Sequence, residues 1–138
     1  MASKVFDASE LEAYAGDLQK IAKDFPKTEK QFMRKEGQKL KTKTLRQAKT
    51  LGRKTGNYLK SIKRGKAYRY EGDTMAIRVY STSPHAHLIE DGHKMVNHDG
   101  TEVGFVPGHH VFEIAAKAFA PQYVTDIDAM LDKEVEKL

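Results

Sequence analysis

The chain has 138 residues, no cysteine and a formal net charge of +5. A chain of this length is expected to form a single domain, residues 1–138, with a modest core. The lack of cysteine excludes disulfide bonds and thiolate metal sites. We expect neither export nor a membrane span, because no signal-peptide-like segment and no run of about 18 apolar residues is present.

Charge is distributed unevenly along the sequence. Residues 27–69 contain 16 Lys or Arg and two acidic residues, a net charge of +14, whereas the rest of the chain carries −9. This asymmetry favours partners of opposite charge for the two parts. The basic part could meet nucleic acid, or it could meet the acidic part of a neighbouring copy in a ring of identical subunits.

Residues 9–52 are predicted to be helical. Ser9 and Glu12 fit a capping box, and apolar residues follow at spacings of three and four, as on one face of a helix: Leu11, Tyr14, Leu18, Ile21 and Phe25. Pro26 predicts a break or kink, so the pattern allows two helices or one long kinked helix. The second part is basic and amphipathic, and its predicted basic surface comprises Lys30, Arg34, Lys41 and Arg46.

Residues 55–81 are predicted to form a turn followed by a β-hairpin. Segments 66–70 and 75–81 alternate in polarity around a turn at 71–74, which is typical of strands with one face on the core. The short apolar segment 87–91 is typical of one buried helical turn.

Residues 92–108 are predicted to form a second hairpin, which we call the arm. Asp99-Gly100 lies between two strand-like segments and favours a two-residue turn. Residues 111–138 are predicted to be helical, with a restart at Pro121. The predicted fold class is therefore α+β, with N-terminal and C-terminal helices packed on a small antiparallel sheet and a protruding arm.

Six histidines between positions 85 and 110 lie near carboxylates and raise the question of a zinc site. His85 and His87 would share a face only in a strand, which Pro84 and the apolar turn disfavour. No Ser or Cys occupies a recognisable nucleophile setting. We therefore expect no catalytic residue, no metal and no cofactor. Glu90 needs a partner if buried, and a base of the second, basic part of the N-terminal helical region or Arg78 is expected.

A basic nucleic-acid-binding module is the alternative function that the residues leave open. The basic helix could follow a phosphate backbone by charge alone. However, neither a recognition-helix motif nor a platform for stacking single-stranded bases is evident.

Three short motifs in a fixed order carry a family resemblance. They are Thr55-Gly56-Asn57-Tyr58-Leu59-Lys60-Ser61-Ile62, then His85-Ala86-His87-Leu88-Ile89-Glu90-Asp91-Gly92-His93, then Phe105-Val106-Pro107-Gly108-His109-His110-Val111-Phe112. Together they resemble the neck and tail-completion family of tailed bacteriophages, the group of the gene-ten product of HK-type lambdoid phages. The chain departs from it at His93, where many members carry Thr, and in a longer arm.

The resemblance implies a structural virion protein, made in the bacterial cytoplasm, that forms a ring at the head–tail junction. A hexamer is the first expectation. Implied neighbours are connector, tail-terminator and tail-tube proteins, with nonspecific contact to packaged DNA. The arm is expected to be mobile on glycine hinges until it meets a neighbour. The predicted assembly residues are Thr55, Gly56, Leu59, Ser61, His87, Glu90, Gly92, His93, Val96, Val103, Phe105, Pro107, His109 and Phe112.

Overall fold

The structure, a computed structural model, describes residues 8–52, 56–72 and 74–138. Its elements in chain order are α1 (Ala8–Lys49), α2 (Gly56–Ser61), β1 (Ile62–Arg64), β2 (Tyr68–Tyr70), β3 (Thr74–Ala76), β4 (Val79–Ser81), α3 (Ala86–Asp91), β5 (Gly92–Val96), β6 (Glu102–Pro107) and α4 (Val111–Glu136). The predicted α+β class is confirmed. The small sheet is divided into three two-stranded antiparallel pairs, β1–β4, β2–β3 and β5–β6.

The N-terminal helical region is one continuous helix of 42 residues that runs through Pro26. It is about 63 Å long at the usual rise per residue. Of the two possibilities the sequence allowed, the single helix is therefore the one found. Proline removes one backbone hydrogen bond, but Lys27, Glu29 and Lys30, which follow it, are good helix formers, and tertiary packing supports the following turns. Phe32 contributes to that packing, with its ring centroid 6.1 Å from that of Tyr123 on α4.

Helices α1 and α4 pack antiparallel. Ala48 and Val111 share the core at one end, and Lys39 contacts Asp126 further along. The fully buried centre is small: Ala48, Tyr58, Ile62 and Val111, with Leu45, Leu51, Leu59, Val79, Ala86, Ile89 and Phe112 packed around it. Helix α2 and β1 thus follow α1 directly into the core.

The first hairpin differs from its prediction because the second strand is interrupted. Segment 75–81 divides into β3, which pairs with β2, and β4, which pairs with β1. Between them, Gly65 N donates to Arg78 O at 2.8 Å. The interruption brings Ile77 onto α1, where a Cβ added to Gly37 would lie 2.8 Å from Ile77 Cδ1. Glycine at position 37 therefore allows the hairpin to approach the helix closely.

Two further predictions need correction around α3 and the arm. Helix α3 exists, but no residue of it is fully buried, because it covers the core from one side. The arm is a hairpin, yet its turn contains three residues rather than two. Asn97 N donates to Thr101 O at 2.9 Å, Gly100 N donates to Asn97 O at 3.0 Å, and Gly100 has φ 87°. This geometry is a type I turn followed by a left-handed glycine. Helix α4 also continues through Pro121 without a restart.

Candidate assembly surfaces and their anchor

Glu90 anchors the arm to the start of α4. Its Oε1 accepts a hydrogen bond from Phe112 N at 3.0 Å, and its Oε2 accepts one from Glu113 N at 3.1 Å. The residue at the helix start, His110, provides no side-chain cap. A carboxylate at this position satisfies two otherwise free N–H groups and interacts favourably with the helix dipole. Glu90 is therefore a capping residue supplied by a different element.

The predicted partners of Glu90, a base of the N-terminal helices or Arg78, are wrong. The Arg78 guanidinium instead lies 4.7 Å from the ring centroid of Tyr80. Glu90 lies near the C-terminal end of α3, beside the N-terminus of α4. Its carboxylate therefore accepts hydrogen bonds from backbone N–H groups rather than pairing with a cation. Sequence spacing alone could not reveal this contact, because its two sides are 22 and 23 residues apart.

The base of the arm is a close backbone crossing between Gly92 and Gly108. A Cβ on Gly108 would collide with the carbonyl oxygen of Glu90 and lie 2.7 Å from Gly92 N. A Cβ on Gly92, which has φ 86°, would collide with the carbonyl oxygen of Val106. His109 N also donates to Ile89 O at 2.7 Å. The two glycines therefore serve close packing, and this geometry does not support the predicted hinges.

The outer part of the arm exposes apolar side chains. The exposed fractions are 47% for Met95, 62% for Val96, 53% for Val103 and 59% for Phe105. Lys94 lies opposite Phe105 in the strand pair, and its Nζ is 3.8 Å from Glu102 Oε2. The predicted assembly residues Val96, Val103 and Phe105 are thus accessible in a single copy. Pro107 and His93 are also exposed.

The predicted turn after α1 contributes to the core more than to the surface. Thr55 lies outside the described residues, and Gly56 is exposed. Ser61 is buried, where its Oγ donates to Tyr58 O at 2.5 Å and lies 2.6 Å from Ser81 Oγ. Leu59 and Phe112 also pack on the core. Ser61 is thus buried and Leu59 and Phe112 are partly buried in a single copy, and their part in assembly stays a prediction.

Tyr58 is a core residue whose pKa is affected by the charge of Glu90. Within the described parts of the chain, its buried hydroxyl has no hydrogen-bond partner. Burial, followed by the negative charge of Glu90, raises the pKa of Tyr58 to about 12. Its proton is therefore retained at any physiological pH. No sequence pattern distinguished Tyr58 from the exposed tyrosines of the hairpin, Tyr68 and Tyr70.

The histidines are surface residues. All six, including the predicted assembly residues His87, His93 and His109, are exposed. Across residues 8–52, 56–72 and 74–138, no group of three or more His, Asp or Glu side chains is arranged to hold a metal. His110 Nδ1 lies 3.3 Å from Glu113 Oε2, beside the Glu90 cap.

The basic residues of α1 lie on different faces of the helix and have different neighbours. Lys30, Arg34 and Lys41 recur at spacings of four and seven and so share one face, whereas Arg46 lies on another. The basic residue that meets the acidic helix within the chain is Lys39, which was not predicted. Its Nζ is 2.8 Å from Asp126 Oδ2 and 3.3 Å from Glu36 Oε2.

The pKa values of the two acidic partners of Lys39 shift in opposite directions. Burial, followed by the Asp126 carboxyl, raises the pKa of Glu36. The hydrogen bond from Lys39 lowers the pKa of Asp126. Lys39 therefore holds together the middle of the contact between α1 and α4. The helical spacing in the sequence places Glu36 on the apolar face of α1, and this spacing was the available signal that its carboxyl is buried.

Both long helices leave apolar side chains uncovered. Residues 9–20 of α1 are all exposed, including Leu11 at 52%, Tyr14 at 48% and Leu18 at 43%. On α4, Val124, Leu131 and Val135 are exposed on the side away from α1. Apolar stripes of this kind usually mark contact surfaces.

No helix in the described part of the chain is long and apolar enough to cross a membrane.

Comparison with known proteins gives a family. No curated protein and no solved structure matches the chain. Residues 12–92, more than half of the sequence, match the HK97-gp10-like family, whose description is "Bacteriophage HK97-gp10, putative tail-component". The chain therefore belongs to the HK97-gp10-like family of bacteriophage tail components.

Proposed function

We propose that this protein is a structural virion component that forms a ring at the head–tail junction and joins the tail to the DNA-filled head. Membership of a tail-component family supports the structural role. The observation that carries the proposal is the exposed apolar set on the arm, which includes Val103 and Phe105, above a tightly packed base at Gly92 and Gly108. Such a surface is too small to form a core and suits a neighbour.

The positions of the uncovered surfaces suit head-to-tail assembly. The arm begins beside the start of α4, which packs against the C-terminal end of α1, whereas the exposed stripe of Leu11, Tyr14 and Leu18 occupies the other end of α1. Different surfaces at opposite ends favour heterologous contacts, which close into a ring when the rotation between copies allows it. A hexamer is the ring size proposed here.

The proposed neighbours are the phage connector on the head side and tail-terminator or tail-tube proteins on the tail side. In this proposal the protein resides in the virion at the top of the tail and acts through contacts rather than catalysis. Contact with packaged DNA is a second candidate activity. The observation that favours it is the position of basic α1 residues beside basic and aromatic residues of the first hairpin, with Lys27, Lys30, Tyr68 and Arg69 around one cleft.

Complementation of a phage that lacks the gene tests the proposal. The double variant Val103→Asp/Phe105→Asp places two charges on the apolar side of the arm, whereas Thr101→Asp places one in the arm's turn. We expect the double variant to remain folded and to lower the infectious titre at least about 100-fold, because two buried charges at a contact are costly. The Thr101→Asp control should remain near wild type. Normal particles from the double variant would contradict the proposal.

A further inference from the structure

We propose that the first hairpin and the adjoining side of α1 form one binding surface for the phosphate backbone of duplex DNA. Two shallow clefts meet at Tyr68. The first has a volume of about 550 Å³ and contains Lys66, Tyr68, Tyr70, Arg78 and Tyr80. The second has a volume of about 440 Å³ and contains Lys27, Lys30 and Arg69 with the same tyrosine. We call the combined area the hairpin–helix surface.

The hairpin–helix surface concentrates positive charge. Among the residues that the structure describes, its lining includes five cations, Lys27, Lys30, Lys66, Arg69 and Arg78, and no acidic residue. In the described part of the chain, Lys27, Lys30, Lys66 and Arg78 form no ion pair, unlike Lys39 between Glu36 and Asp126. The nearest acidic residue along the hairpin is Glu71, in the turn after β2. Lys27, Lys30, Lys66 and Arg78 are therefore available to an external anion.

Aromatic side chains give the surface its shape. Tyr68 and Tyr70 are 41% and 53% exposed, and alternate residues of a strand point to the same side. Arg78 lies over the Tyr80 ring, which positions its guanidinium at the cleft. Tyrosine hydroxyls, lysines and arginines are the side chains that commonly contact DNA phosphates. Tyr80 comes from a different strand, β4, so the sequence did not show that it would share a cleft with Tyr68 and Tyr70.

The shape favours a long polyanion over a small ligand or a short acidic peptide. Both clefts are shallow and open, and they continue across two elements. The acidic segment of α4 is partly engaged within the chain, since Asp126 pairs with Lys39 and Glu134 pairs with Lys137. In this proposal the cations contact phosphates rather than base edges, so binding should be independent of sequence. This inference deepens the proposed function, since a protein at the head–tail junction meets the packaged duplex.

The test is a titration of the full chain with a fluorescent duplex of about 30 base pairs over a range of salt concentrations. One double variant, Lys66→Gln/Arg78→Gln, removes two cations from the hairpin, and a second, Lys27→Gln/Lys30→Gln, removes two from α1. The matched control, Lys20→Gln/Lys23→Gln, removes two exposed cations from the part of α1 outside the clefts. All three variants have the same net charge, so they separate position from total charge.

Each test variant should weaken binding about 10-fold or more at about 100 mM salt, and it should lower the slope of log affinity against log salt by about 2, one for each lost phosphate contact. The control should change affinity less than about 3-fold. Equal losses in test and control variants would overturn the proposal, as would a wild-type protein without DNA affinity at low salt. A peptide of residues 124–138 would be tested as a competitor of the fluorescent duplex. If it displaces the duplex as well as unlabelled DNA with the same number of charges does, the surface binds a protein partner instead.

The outcome for DNA is separable from the outcome for assembly. The Lys66→Gln/Arg78→Gln variant should retain the wild-type oligomeric state by light scattering, whereas Val103→Asp/Phe105→Asp should lose assembly and retain the DNA affinity of one copy. DNA binding without a ring would refute the proposed function alone. A ring without position-dependent DNA binding would refute the hairpin–helix surface alone.

Discussion

The base of the arm is closely packed backbone, whereas its outer part exposes apolar side chains. At the base, Gly92 and Gly108 cross with no space for a side chain, and Glu90 caps α4. In the outer part, Val103 and Phe105 are more than half exposed, although the edge of the Phe105 ring reaches Gly92 at the base. The base therefore determines whether the domain folds, whereas the outer part contributes little to folding in one copy and is available for a neighbour. Substitutions should separate these two properties.

The largest expected effect comes from Gly108→Ala. The new methyl group would collide with backbone atoms of Glu90, Asp91 and Gly92, which cannot rotate away. We expect a loss of about 3 kcal/mol or more in the free energy of unfolding, measured with urea. The matched control within the arm is Gly104→Ala, whose Cβ would lie 3.7 Å from Met95 Sδ in ordinary contact. Equal stabilities for the two variants would show that the base is loosely packed.

A smaller loss is expected from Glu90→Ala, which removes the acceptor of two N–H groups at the start of α4. Loss of a helix cap typically costs about 1–2 kcal/mol. Asp91→Ala is the control, since Asp91 is an exposed acidic residue of the same helix. If both variants unfold at the same urea concentration as wild type, the contact does not stabilise the base.

Alkaline pH probes the core beside the cap. The pKa of Tyr58 is raised from 10.0 to about 12, so its stabilising contribution is complete below pH 10 and declines as pH rises towards 12. Tyr58→Phe should remove that part of the alkaline loss and change neutral-pH stability by less than about 1 kcal/mol, because the hydroxyl is unpaired. The measurement is urea unfolding at several pH values. An unchanged alkaline profile in the variant would contradict this role.

The smallest effect on folding is expected at the free end of α1. Leu18→Gln alters a side chain that is 43% exposed and should change the free energy of unfolding by less than about 0.5 kcal/mol. It should nevertheless weaken self-association, detected by light scattering at increasing concentration. Ala13→Gln, an exposed position off the apolar stripe, is the control. A large loss of stability in Leu18→Gln would show that the stripe already has a partner within the chain.

Local patterns predicted the type of most elements, because helix periodicity, strand alternation and turn residues act over a few positions. They did not predict contacts between elements. Ile77 leaves its strand pattern to meet Gly37, and Pro26 stays inside α1 with the support of later packing. The cap by Glu90 and the crossing of Gly92 with Gly108 likewise depend on segments that are distant in sequence. The Pro107-Gly108 pair was the available signal for the crossing, although it indicates a turn equally well.

The most direct test of the central claim is photo-cross-linking from the arm in purified particles. Phe105 would be replaced by the photoreactive residue p-benzoyl-phenylalanine, with the same replacement at Thr101 as the control. If the arm contacts the next copy in a ring, irradiation should give covalent products at multiples of the 15.6 kDa chain mass from position 105 and far fewer from position 101. Products that contain only other virion proteins, or no products at all, would contradict the claim.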